Sequence, residues 1–213
     1  GAARGLSEAA AVLISDGLAA RGVGVLHRDD RIAVFDRLQL PVVFPLTRAT
    51  TIRVGDLIGA TEIVFGEIKL GQRLSVRARL ARRTTGQHLP DIADEAPLAE
   101  MFQLFERVSE RVAASTGRPL ASSLTRMPAL SLEAFENYVK GLVAATPAAQ
   151  QRFFETALTQ APRDPRILIA LWDAYTAQGA HDKALAAANA VPAGTPDSRR
   201  AKFVVALSLI ELR

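Results

Sequence analysis

The stretch Leu168-Ile169-Ala170-Leu171-Trp172-Asp173-Ala174-Tyr175, continued by Gly179, Ala184, Ala188 and Pro196, decides how this chain is read. Leu168, Leu171, Trp172 and Tyr175 recur at helical spacing, and Gly179 is a helix stop. Ala184 and Ala188 are four apart on a second helix, where small side chains let two helices approach closely. Tyr175 fills the space between them, and Pro196 ends the second helix. The pattern is periodic: Ala157 and Pro162 return as Val191 and Pro196, a shift of about 34 residues. Working outward, the same spacing predicts helices over 132–144, 148–160, 166–178, 182–191 and 199–212, joined by short turns.

These residues, with the junction Ala161-Pro162-Arg163-Asp164-Pro165, resemble the tetratricopeptide repeat. The resemblance gives residues 131–213 two repeats plus one extra helix, an all-α solenoid. It implies a groove lined by the first helix of each pair, which takes a protein or peptide partner. On this chain the groove positions are Phe135, Val139 and Leu142, then Arg166, Ile169 and Asp173, then Arg200, Phe203 and Leu207. Trp172 and Gln150 depart from the family pattern, which prefers small residues there. Lys202 falls where an apolar residue is usual.

Upstream, residues 117–130 carry two prolines and several small polar residues, and the reading places a linker over 119–130. Before it the pattern changes. Leu74, Val76, Ala78 and Leu80 alternate with Arg73, Ser75, Arg77 and Arg79, the signature of a strand with one wet face. Glu62–Ile68 is a second strand, and Gly71-Gln72 turns between them. Placing Val64 and Ile68 on the buried side calls for a three-residue loop or a bulge that pairs Lys69 with Arg73. A weaker strand is expected near His88–Ile92, and an amphipathic helix from Pro97 to Gly117 through Leu98, Met101, Phe102, Phe105, Val108 and Val112. Toward the start, a helix over 4–20 stops at Gly22 and a short strand over 22–26 follows. A second helix is capped by Asp29 or Asp30 and ends before Pro41. A third is capped by Thr47 or Thr50 and ends at Gly59. Gly17 sits inside the first helical pattern at a cost of about 1 kcal/mol against alanine.

With a sheet-and-helix domain ahead of such repeats, Leu57-Ile58-Gly59-Ala60, Val64, Gly66, Gly71, Arg73–Val76, Ala78–Leu80, Thr85-Gly86 and the Phe102–Val112 helix resemble the domain shared by the TolB amino-terminal region and FlgO-like proteins. The resemblance covers roughly residues 4–115. It implies an α+β domain over 1–118, a mixed sheet with flanking helices, in a bacterial protein of the periplasm or cell envelope, with a cytoplasmic regulator as the alternative. Relatives begin with a strand, whereas this chain opens in a helix. The expected consequence is a free slot beside Val23–Leu26, completed by residues before Gly1 or by a second chain. That makes an open sheet edge a route to self-association.

The 213 residues carry 26 basic and 22 acidic side chains. The excess is even: residues 1–118 hold 16 basic and 14 acidic groups, residues 119–213 hold 10 and 8. No basic arm stands out, and nucleic acid is not an expected partner. No run approaches the roughly 20 apolar residues of a membrane span. Zero cysteines removes thiolate metal sites and a cysteine nucleophile. His27, His88 and His181 lie in different elements with no carboxylate at ligand spacing. Asp29-Asp30 reads as a cap before it reads as half an acid–base pair. Asp91, Asp94 and Glu95 read as an acidic loop without the glycine and terminal carboxylate of a calcium site. No phosphate loop or nucleophile elbow occurs. The expectation is a protein that is not an enzyme and needs no cofactor: an adaptor, an envelope component, or a sensory module of a larger signalling protein.

Overall fold

The first unit is organised by a hairpin. The computed structural model describes residues 2–40, 47–83, 85, 87–117 and 130–212. The chain divides into two compact units, Gly1–Leu124 and Thr125–Arg213. Strand β1 (Glu62–Leu70) pairs antiparallel with β2 (Leu74–Arg82), with Leu70 opposite Leu74, Ile68 opposite Val76 and Val64 opposite Leu80. Directly opposed residues share a face, so Val64 and Ile68 lie with Leu74, Val76, Ala78 and Leu80, the last four all buried. Arg77 on the other face is exposed. The connection is a three-residue loop, and it pairs Lys69 with Ser75 rather than with Arg73.

The far edge of β2 is shared by two short strands. β3 (Gln87–His88) pairs with Ala81 and Arg82, and β4 (Ile92–Ala96) pairs with Leu74–Ala78. Every pairing described is antiparallel, so the expected mixed sheet is corrected. So is the acidic loop: Asp94 and Glu95 are strand residues, because backbone pairing with β2 organises this segment. Their charges are answered by arginine. Asp94 accepts two bonds from Arg107, Glu95 lies 3.0 Å from Arg73, and Asp91 accepts 2.8 and 3.1 Å bonds from Arg79. The guanidinium partners hold the carboxyls of Asp91 and Asp94 below the ordinary carboxylate range.

Helix α1 (Ala2–Ala19) stops at Gly22, whose φ of 81° suits glycine. Residues 23–27 then run without secondary structure. The short strand expected over 22–26 does not form, and the slot expected beside it is absent with it. Helix α2 (Arg28–Arg37) follows. Its N-cap is His27, with no side-chain bond, and Asp29 and Asp30 sit in the first turn instead. There a carboxylate still meets the positive end of the helix dipole. Helix α3 (Arg48–Ile58) is capped by the Thr47 hydroxyl, which accepts from the Thr50 N–H, and closes at Gly59. The stop expected before Pro41 is met, since α2 ends at Arg37 with Leu38 as its C-cap; the linker over 119–130, apart from Leu130, lies outside the described residues.

After a single 3-10 turn at Leu98–Glu100 comes α4 (Met101–Ser115), whose Leu104, Phe105, Val108 and Val112 are buried. It packs against β2, β4 and α1. The α1–α4 crossing explains Gly17. A Cβ there would run into the Ser109 side chain, so the missing side chain is what lets the helices meet. In an open helix Gly→Ala gains about 1 kcal/mol. Here Gly17→Ala is expected to give a net loss of about 1–3 kcal/mol from overpacking, read as a lower urea midpoint. An increase in midpoint would place the crossing elsewhere.

Among its described residues the second unit has no strand, only the helices α5 (Leu132–Val143), α6 (Pro147–Gln160), α7 (Pro165–Thr176), α8 (His181–Asn189) and α9 (Ser198–Glu211) with their connections. Caps set the starts. Ser131 accepts from the Ala134 N–H, Thr146 from Ala149, and buried Asp164 from Arg166 and Ile167. Proline at the first position of α6 and α7 suits a site with no intrahelical N–H bond. His181, expected in a turn, opens α8. Each helix packs on the next in sequence, and α9 also reaches α7.

Candidate functional site

The period of about 34 residues makes α5, α7 and α9 equivalent, and it lines up the candidate positions. Phe135, Ile169 and Phe203 are one equivalent set; Val139, Asp173 and Leu207 are a second; Arg166 and Arg200 are a pair. The structure treats the members of a set differently. Phe135 and Val139 are buried, and Leu142 is half-buried. Ile169 is only 4% exposed, enclosed with Ala188 of α8 and Ala201 and Val204 of α9. Its assignment to the groove is corrected: a side chain sealed into the seam between stacked helices has no face left for a partner.

The two ends of the same seam carry polar ties. Trp172 Nε1 donates to Ser208 Oγ at 2.8 Å, and Arg200 lies 3.5 Å from Asp173. Arg166 is held by Asp164, donating from Nε at 3.0 Å and Nη2 at 2.6 Å, so its guanidinium anchors the α7 cap. On α9 the picture inverts. Phe203 is 64% exposed, Leu207 is exposed, and Leu209 and Ile210, at 62%, are exposed with them. Only Ala201, Val204 and Ser208 of α9 are buried. Leu209 and Ile210 were not among the candidates. A signal for Ile210 existed, since it lies one period beyond Thr176 and two beyond Leu142.

A polar ridge crosses α6 and α7. Tyr175 Oη donates to Glu155 Oε1 at 2.8 Å, Gln151 donates to the same oxygen, and Gln178 donates to Gln151. The Lys183 ammonium lies 5.8 Å from the Tyr175 ring centre. Burial, then the bond and charge of Glu155, push the Tyr175 phenol up to about 12. The folded chain thus favours the neutral phenol. That contribution is complete below the ordinary value of 10.0 and is lost as pH rises toward about 12. In a Tyr138→Phe chain, the phenolate absorbance then reports Tyr175 alone. Its midpoint is expected well above that of the same chain in denaturant; coincident midpoints would contradict the buried bond.

Other chemistry is sparse among the described residues. No group of three or more histidine, aspartate and glutamate side chains is placed to hold a metal. A cleft of about 330 Å³ in the first unit is lined by Leu26, Asp30, Ala33, Val34, Leu57 and Ile58, with a single ionisable group. No described helix is long and apolar enough to cross a membrane.

Stacked helix pairs, a repeat of one length and small residues at the crossings define a repeat class. Residues 145–207 match the family model of the tetratricopeptide repeat. The match spans α6 to most of α9, so tetratricopeptide repeats carry the seam around Ile169 and the exposed face of α9; α5 lies outside it. No curated protein and no solved structure matches the chain. Tetratricopeptide arrays present extended surfaces to protein partners.

Proposed function

We propose that this chain is a non-catalytic protein–protein interaction adaptor whose tetratricopeptide repeats take the partner. The observation that carries the reading is α9: a repeat helix with Phe203, Leu207, Leu209 and Ile210 turned to solvent. Large apolar side chains exposed together mark an interaction surface more often than an idle one. The pairing of Arg28, Arg31, Arg73, Arg79, Arg83 and Arg107 with carboxylates supports a protein partner over nucleic acid, which needs uncommitted cations. The resemblance of residues 4–115 to TolB amino-terminal and FlgO-like domains supports a bacterial envelope setting. β1 pairs only with β2 among the described residues, and its outer edge is a second contact surface, toward another copy of the chain.

The test is in vivo crosslinking with the intact chain. Each captured protein is then purified and its binding measured by calorimetry, with cell fractionation in parallel. A partner that rebinds directly supports the adaptor reading. If no captured protein rebinds in purified form, the reading fails. Recovery of the chain in the cytoplasmic fraction would overturn the envelope setting alone.

A further inference from the structure

The repeat period says what should cover α9, and α9 departs from it at one telling place. Ile169 of α7 is sealed by Ala188, Ala201 and Val204, that is, by the next two helices of the stack. Phe203 is its equivalent on α9, and a further helix pair stacked in the same way would seal it too. Such a pair would also have to enclose Lys202. That residue stands where α7 has Leu168, 3% exposed. Enclosing an ammonium group is costly unless an acidic group meets it, so α9 departs at this position from the pattern that seals Ile169.

The stripe Phe203–Leu207–Ile210 is exposed on α9. Its spacing of four and then three residues is that of a helix-docking face. It has also lost the polar ties of the equivalent seam. Leu207 replaces Asp173, which faces Arg200, and Ala206 replaces Trp172, which donates to Ser208. At the start of the stripe stand Arg199 and Lys202, both exposed. On α9 itself the one acidic side chain is Glu211, at the opposite end.

We infer that the Phe203–Leu207–Ile210 stripe is a docking site for one amphipathic helix of a partner protein, with acidic residues at the end that meets Arg199 and Lys202. This rests on the adaptor reading and names the chemistry of its partner. The occupant lies along the stripe and leaves Lys202 in water. Charge sets the direction of the docked helix, and apolar burial supplies most of the affinity.

Two labelled peptides test it on the intact chain by fluorescence anisotropy. Both are amphipathic helices of about five turns with leucines at i, i+3, i+4 and i+7; one carries glutamates at one end, the other lysines there. The acidic peptide is expected to bind in the micromolar range and the basic one about tenfold or more weaker. Phe203→Glu and Ile210→Glu are each expected to abolish binding. Arg199→Glu with Lys202→Glu should reverse the preference between peptides. All these residues are exposed, so unchanged circular dichroism separates lost binding from lost folding. No saturable binding of the acidic peptide, or binding indifferent to Phe203→Glu, would overturn the site. A dimer of the intact chain that Phe203→Glu converts to monomer would overturn it as well, by assigning the stripe to a second copy. A crosslinked partner that rebinds wild type and Phe203→Glu equally would sink this inference and leave the adaptor reading standing.

Discussion

Replacing Arg28 and Arg31 together by methionine is expected to lower the stability of the first unit by about 3–5 kcal/mol. The reason is Glu8, a carboxylate only 2% exposed, on the face of α1 that meets α2. A single oxygen, Oε1, accepts 2.7 Å bonds from both Arg28 Nε and Arg31 Nη2. The two arginines are one turn apart on α2, so the clamp ties the start of α2 to α1. Without them the carboxylate stays buried and loses both arginine partners. The sharper expectation is the triple variant. Adding Glu8→Met removes the stranded charge and should restore most of the loss, because a buried ion network and an apolar cluster of similar volume are often near neutral. Urea denaturation followed by hydrogen exchange at α1 and α2 reads both steps. If the double variant costs less than about 1 kcal/mol, the cluster behaves as an ordinary surface pair.

The sequence does not announce this clamp. Glu8 lies on an alanine-rich helix and reads as a solvated residue, and Arg28 and Arg31 follow it by some twenty positions. What local pattern does reveal is periodicity. The alternation over residues 73–80 predicts the buried face of β2, and the cap at Thr47, one of two threonines the sequence offers, follows from residue type alone. Failures fall where a local pattern has two uses. Gly22–Leu26 has the apolar residues of a short strand, but a strand needs an edge to pair with, and no five-residue window shows whether one exists. Asp29 and Asp30 suit a cap and a first turn equally, since both exploit the same unpaired N–H groups. Asp94 and Glu95 look like loop because their pairing partner, β2, is distant in sequence.

The groove was legible only as a set of equivalent positions. Phe135, Ile169 and Phe203 carry the same kind of side chain one period apart, and nothing in those residues tells seam from surface. That depends on whether another helix follows in the stack. Lys202 is the local sign of the difference, a charge at the place where Leu168 is enclosed. The site therefore emerges at α9, where the apolar pattern continues on an exposed face.

The same equivalence makes a second large prediction, inside the first helix pair. Gly141 of α5 is one period before Tyr175, and Phe154 of α6 is one period before Ala188. In the second pair the bulk comes from the first helix, as Tyr175, and the small residue from the second. In the first pair the roles are exchanged. A Cβ on Gly141 would overlap the Phe154 ring, which lies 5.9 Å from the Tyr138 ring and is buried. Phe154→Ala alone should cost about 3–5 kcal/mol, the usual loss for a buried aromatic ring. Gly141→Phe alone should also destabilise, by overpacking, at about 1–3 kcal/mol. Combined, the two substitutions move one ring from α6 to α5 and recreate the arrangement of the second pair, so much of both losses should return. The measurement is a double-mutant cycle in urea. Residues in contact show coupling of about 0.5–3 kcal/mol, and the expected sign is favourable to the double variant. Strictly additive losses would mean that the two pairs pack by different rules, and that the period aligns their sequences without aligning their cores.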